Sequence, residues 1–367
     1  MLVLALALAC SPKGAVDDSG ADDTGTSPGE DPSADGAWAV GTDATEITGS
    51  WDVDLLVQAW YPRADADGSV YMYDGFGQGT ALDGGTAACD GPRPVVVFSH
   101  GNEGMRWQSY FLTEHLAAHG WVVGAPDHTG NTLFNADSSR MPELVFRRPV
   151  DVADTFDMLV ARSADPADPL YGCVDPQAGY MVVGHSFGGY TALAVAGAFV
   201  DTDDVAAICA SEGGWLCDDV AAWAALHPDQ TIWDGHDPRA WAAVALSPAA
   251  YETLHAGLSA ITIPTLIQVG TLDEITPWAS TVQPIWDGLQ AQPRAAALVD
   301  GAGHYSFSDA CEIAATFPDC APPYRDPAEV HDLSRTLTLA WGLQALGDAG
   351  AGAWLPPDDA RISWQEP

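Results

Sequence analysis

The chain has 367 residues, 47% of them apolar, which is enough to bury a sizeable core and too many for disorder throughout. Its 51 acidic residues against 13 basic ones leave a formal charge of −38, and Lys13 is the only lysine. That balance excludes nucleic acid as a partner, and it excludes an anionic membrane surface unless a lipid anchor holds the chain there.

Residues 1–10 (MLVLALALAC) form an apolar run too short to span a bilayer, ending in a cysteine followed by small and polar residues. This pattern predicts an export signal. Leu8-Ala9-Cys10 resembles the end of a lipoprotein signal, which makes Cys10 the expected site of lipidation and places the protein in the cell envelope or outside it. The lack of a basic segment before the apolar run points to a true start upstream of Met1. Residues 11–44, acidic and rich in Gly, Ser, Thr and Pro, predict a disordered linker, because so little apolar surface cannot offset the entropy of ordering. A folded domain is expected over 45–367.

Within it, residues 53–61 alternate apolar and polar side chains, the mark of a half-buried strand, and residues 94–99 (PVVVFS) read as a fully buried one. Helical spacing over 107–119 ends at Gly120, and residues 121–126 form the next strand. A helix over 150–161, a strand over 180–183 and an Ala-rich helix over 190–199 continue the alternation. Further strands are expected at 241–246, 265–269 and 295–299, and helices near 278–290 and 328–346. Buried strands taking turns with helices predict an α/β domain built on a mostly parallel, doubly wound sheet. Residues 200–239, with three tryptophans, interrupt the rhythm and read as a small helical cap inserted between a helix and a strand.

Beyond Cys10, six cysteines suit an oxidising compartment, and none lies in a CxxC pair of the kind that binds zinc. Proximity pairs Cys209 with Cys217 and Cys311 with Cys320. Cys89 and Cys173 precede two strands expected to be neighbours. Free buried thiols are the alternative.

Gly184-His185-Ser186-Phe187-Gly188 sits between a predicted strand and a predicted helix, which is the context of a nucleophile elbow. There the serine Oγ stands above the sheet, and glycines are needed because side chains would strike the neighbouring strand or helix. Serine needs a base, and the base needs an orienting acid, expected in that chain order after late strands. Asp273 follows the strand 265–269 and His304 follows the strand 295–299, so Ser186, Asp273 and His304 are the candidate catalytic set. Asp300, Asp309 and Glu274 compete for the acid role. The oxyanion donors expected are the backbone N–H groups of Phe187 and of Asn102, the latter in the loop after strand 94–99. His100 and His185 flank the site, as loop support and as the variable residue of the elbow. Trp107, Trp215 and Trp278 either line an apolar cleft or pack in the core.

Val97-Phe98-Ser99-His100-Gly101, Gly184-His185-Ser186-Phe187-Gly188-Gly189, Gly270-Thr271-Leu272-Asp273 and Gly303-His304-Tyr305-Ser306-Phe307 together resemble the secreted bacterial esterases similar to platelet-activating-factor acetylhydrolase and dienelactone hydrolase, over roughly residues 50–345. The resemblance implies the α/β-hydrolase fold and hydrolysis of a small-molecule or lipid-like ester without cofactor or metal. The loop Gly101-Asn102-Glu103-Gly104 departs from the apolar loop of the acetylhydrolases, and a serine nucleophile argues against dienelactone hydrolysis itself. Cutinase-like, lipase-like or peptidase activity and a noncatalytic binding role are the alternatives. Metal-dependent hydrolysis lacks an HExxH or similar cluster.

Overall fold

The computed structural model describes residues 31–367, so the expected signal, Cys10 and residues 11–30 of the expected linker lie outside the described residues. An antiparallel hairpin opens the domain, β1 (Ala39–Thr48) with β2 (Asp54–Arg63), and the short β3 (Leu82–Asp83) pairs with β1. The alternation follows: β4 (Val95–Ser99), α1 (Tyr110–Ala118), β5 (Val122–Pro126), α2 (Met141–Ala164), β6 (Tyr180–His185) and α3 (Phe187–Val195). The two-residue strand β7 (Val200–Asp201) leads into α4 (Thr202–Ser211) and α5 (Cys217–Leu226), and β8 (Ile232–Trp233) returns to pair with it. The chain ends with β9 (Ala240–Leu246), α6 (Tyr251–Leu254), β10 (Thr265–Gly270), α7 (Gln283–Gly288), β11 (Arg294–Val299), α8 (Ala310–Ile313), α9 (Pro327–Ala345) and β12 (Ile362–Gln365).

These strands make a ten-stranded mixed sheet in the order β12-β11-β10-β9-β6-β4-β5-β2-β1-β3. Its centre, from β5 to β11, is parallel, and antiparallel strands flank it on both sides. Side chains alternate between two cores: Val95 and Val97 of β4 join Phe156, Leu159 and Leu193 on one face, while Val96 and Phe98 join Leu112, Leu116 and Leu337 on the other. Each such buried aliphatic or aromatic side chain contributes about 1.5–3 kcal/mol, so helices on both faces are the stable way to cover a sheet with no polar side. The chain is an α/β protein.

Four details differ from the sequence expectations. The ordered chain begins well before residue 45: β1 starts at Ala39, and ahead of it the Trp38 N–H donates to the Ala118 carbonyl at 3.0 Å, while Arg93 lies over the Trp38 ring. Composition made this segment look like linker, but hairpin pairing with β2 supplies the backbone bonds that its side chains do not announce. On β2 the expected polar face is buried, because Gln58 donates to Thr42 Oγ1 at 2.7 Å and accepts from Arg106 Nε at 3.2 Å. Helix α2 starts ahead of Pro149 rather than after it. The carbonyl that Pro149 leaves without an intrahelical donor, that of Val145, accepts from Tyr190 Oη at 3.0 Å. Helix α3 starts three residues early, directly after Ser186, since the elbow itself is the first turn.

All three proximity pairings form: Cys89–Cys173, Cys209–Cys217 and Cys311–Cys320. The first clamps the approaches to the neighbouring strands β4 and β6. Among the described residues no helix is long and apolar enough to cross a membrane.

Candidate active site

Loops leave β4, β6, β10 and β11 at their carboxyl ends, on the same edge of the sheet, where ligands bind in open α/β structures. Ser186 follows β6 with φ 59° and ψ −117°, a backbone conformation that costs a non-glycine residue about 1–3 kcal/mol. The turn is held by the Ser186 N–H donating to the Leu246 carbonyl at 2.8 Å and by the Ser186 carbonyl accepting from Tyr190 N–H at 3.1 Å. A Cβ on Gly184 would lie 2.0 Å from the Gly188 carbonyl oxygen, and one on Gly188 would lie 1.9 Å from that of Ser99. The glycines of the motif are therefore required by close backbone approach.

His304 Nε2 lies 2.9 Å from Ser186 Oγ, and His304 Nδ1 lies 2.9 Å from Asp273 Oδ2. Asp273, at the end of β10, also accepts from the N–H groups of Ile275 at 2.9 Å and Thr276 at 2.7 Å and from Thr276 Oγ1 at 2.9 Å. Burial alone would raise its pKa, but the hydrogen bond and charge of His304 and the Thr276 N–H hold it well below the usual carboxylate range. An ionised Asp273 accepts the His304 Nδ1–H, which leaves Nε2 free to accept from the serine hydroxyl. The competing acids are engaged elsewhere or point to water: Asp300 pairs with Arg325 at 3.2 Å, Asp309 accepts from the Phe111 N–H at 2.9 Å, and Glu274 is exposed.

Asn102 lines the cavity above Ser186, and its Oδ1 accepts from Asn131 Nδ2 at 2.8 Å. Phe187 turns its ring into the core, 4.4 Å beneath the Arg148 guanidinium, and as the first residue of α3 it has an N–H with no intrahelical acceptor. His100 and His185 take bland roles. His100 donates from Nδ1 to the Gly101 carbonyl at 2.7 Å and accepts the His128 N–H on Nε2 at 3.0 Å. Of the three tryptophans, Trp215 lines the cavity, Trp107 is buried with its Nε1 donating to Asp74 at 2.7 Å, and Trp278 packs against the core.

The cavity over Ser186 has a volume of about 960 Å³. One wall is the loop between α4 and α5, which Cys209–Cys217 ties together at its base, so part of the segment 200–239 lines the same cavity as Ser186. Trp215 in that loop packs edge-on against Phe187 at 5.0 Å. The opposite wall, with Ile313 and Phe317, is closed by Cys311–Cys320. Among the described residues no group of three or more His, Cys, Asp or Glu is placed to hold a metal ion.

Sequence reasoning missed three residues. Gln108 Oε1 accepts the Gly101 N–H at 3.0 Å and Gln108 Nε2 donates to His185 Nδ1 at 2.9 Å, while His185 Nε2 donates to the His304 carbonyl at 2.9 Å. This chain of bonds joins the Asn102 loop to the His304 loop. Asn131 and Arg148 brace Asn102 from below: buried Arg148 donates to Asn131 Oδ1 at 2.6 Å, to Ser99 Oγ at 3.2 Å, to Thr191 Oγ1 at 3.1 Å and to the His100 carbonyl. No local pattern marks these residues, because apart from Gly101 their partners lie 17 or more residues away in sequence. In comparisons with known proteins, no family model matches the chain and no curated protein matches it.

Desolvation holds the buried imidazoles neutral, with His115 and His185 lowered to about 3, His331 to about 4, and His100 and His128 well below the usual range. Each folded pKa lies below its unfolded value near 6.5, so unfolding takes up a proton and stability falls as pH drops through 6.5. Buried Asp151, raised to about 7, and Asp309, raised well above the carboxylate range, act in the opposite sense, as do Asp127, Asp219 and Asp319 with smaller shifts, so only the histidines in excess of the strongly shifted acids contribute over this window. Urea unfolding at about pH 7.5 and pH 5 should therefore show a lower midpoint at pH 5, the unfolding free energy falling by up to about 1.4 kcal/mol per pH unit for each uncompensated histidine. An equal or higher midpoint at pH 5 contradicts this.

Proposed function

We propose that this chain is a serine hydrolase of the α/β-hydrolase type that cleaves carboxylic esters through an acyl-enzyme on Ser186. The observation that supports this best is the unbroken line Asp273–His304–Ser186, bonded at 2.9 Å at each step and opening on a cavity. The strand–turn–helix setting of Ser186 and the resemblance to acetylhydrolase- and dienelactone-hydrolase-like esterases favour the same reading.

In this mechanism His304 Nε2 takes the proton of Ser186 Oγ as the oxygen attacks the acyl carbonyl, and the N–H groups of Phe187 and Asn102 receive the oxyanion. His304 then passes that proton to the departing alcohol oxygen. Water, deprotonated by His304, attacks the acyl-enzyme, and as the acyl–oxygen bond breaks His304 returns that proton to Ser186 Oγ, releasing the acid and the free serine. Asp273 stays ionised throughout, fixing the imidazole tautomer and stabilising the imidazolium.

The test is treatment of the full chain with a fluorophosphonate, followed by peptide mass mapping, alongside hydrolysis of p-nitrophenyl esters from acetyl to palmitoyl. Phosphonylation of Ser186 alone with ester turnover supports the reading. A folded chain that is neither labelled nor active on any ester refutes it.

Gln108 is a positioning residue in this scheme. Gln108→Leu should lower kcat about tenfold with little change in KM, because the oxyanion matters in the transition state more than in the bound ester. A rise in KM at constant kcat would assign Gln108 to substrate binding instead.

A further inference from the structure

The cavity walls carry information about charge. Their apolar part is extensive, with Met105, Leu133, Ile208, Ile275, Ile313 and Phe317, and the residue after Leu133, Phe134, has an exposed ring 5.6 Å from that of Phe76. Their charged part is one-signed: Glu103, Glu212 and Glu252 line the cavity, and no Lys or Arg does among the described residues. Glu252 is buried, with 8% exposure, and is fixed in place as its Oε1 accepts the Leu216 N–H at 3.0 Å. The nearby cations have no capacity to spare. Arg106 is paired with Asp74 at 2.7 Å and with Asp127 at 2.9 Å, and Arg148 is wholly buried on its own acceptors beneath the loop.

We infer that the substrate is an uncharged, largely apolar ester, and that esters bearing a carboxylate or phosphate on the bound part are rejected by the cavity wall. This rests on the hydrolase reading above. An anionic group entering the site would give up its hydration with no cation to replace it, and it would face buried Glu252 together with the exposed Glu103 and Glu212. The cavity, about 960 Å³, lies at the upper end of small-molecule sites, so it receives far more than an acetyl group and leaves an apolar chain its exit over Leu133. The net charge of −38 adds a long-range repulsion, but added salt screens that component and leaves the contribution of the buried wall.

The experiment compares kcat/KM of the full chain on three p-nitrophenyl esters of equal chain length: octanoate, the half-ester of suberic acid, and the matching ω-carboxamide. It is run at about 0.5 M salt to screen the long-range field. Octanoate should be best, and the carboxylate should fall at least about tenfold below the isosteric carboxamide. The variant Glu103→Gln/Glu212→Gln/Glu252→Gln should narrow that gap several-fold, and if it does not fold, the exposed pair Glu103→Gln/Glu212→Gln serves as the second variant, compared with the parent at low salt, where exposed charges are not screened. Carboxylate and carboxamide rates within about twofold of each other, both dependent on Ser186, overturn the inference and leave the hydrolase reading standing. So does a gap that neither variant changes. If all three esters are inert with folded protein, the hydrolase reading fails, and this inference fails with it.

Discussion

Ser186→Ala should lower kcat for ester hydrolysis by at least about a thousandfold, with the protein still folded and KM changed little. In the proposed mechanism Ser186 Oγ is the atom that bonds the acyl group, and its removal leaves the cavity and the proposed oxyanion donors in place. The methyl of alanine fits the turn, since the residue keeps its Cβ and only Oγ, bonded at 2.9 Å to His304, is lost. His304→Ala should cost as much, and the double variant no more than either single one, because nucleophile and base act as a unit. Steady-state rates on p-nitrophenyl butyrate with thermal melts on each variant make the check. Activity within about tenfold of the parent in Ser186→Ala would remove Ser186 from the mechanism.

Arg148→Met is expected to produce the largest loss of stability. The guanidinium is fully enclosed and donates to Asn131, Ser99, Thr191 and the His100 carbonyl, so its removal leaves buried acceptors without donors. Burial lowers its pKa to about 9, with the charge of Asp151 acting in the opposite direction, so the side chain remains protonated at neutral pH. Breaking such a buried charged network typically costs about 3–5 kcal/mol. A fall in the urea midpoint at unchanged slope that corresponds to a loss of unfolding free energy of that size is the expected result. Arg148→Lys should recover little, since a single ammonium cannot reach acceptors spread over β4, the Asn131 loop and α3. In folded Arg148→Met at low temperature, kcat should also drop, because Asn131 loses its anchor and Asn102 with it. An unfolding free energy within about 1 kcal/mol of the parent would show that the cluster is not braced by this residue.

The elements that the sequence predicted well are those governed by short-range rules. Period-two and continuous apolar runs marked β4, β5, β6, β9, β10 and β11, since each needs only its own residues to declare burial on both faces. The elements it predicted poorly depend on a partner. β1 looks like acidic linker until β2 pairs with it, Gln58 looks like a solvent-facing residue until Thr42 and Arg106 meet it, and Pro149 looks like a helix start until Tyr190 supplies the missing donor.

The same division runs through the site. From sequence alone came Gly184, Ser186 and Gly188, because a strand-to-helix turn with no room for Cβ atoms is a local constraint, and the order in which Asp273 and His304 follow late strands, because parallel crossovers deliver loops to one edge of the sheet. Only the tertiary structure decided that Gln108 bridges two loops through His185, that Arg148 and Asn131 support Asn102, and that two disulfide-tied walls enclose an apolar, acid-lined cavity. The reason is range. Strand, helix and turn preferences act over a few residues, whereas hydrogen bonds such as that between Gln108 and His185, 77 residues apart, exist only after packing has brought their backbones together.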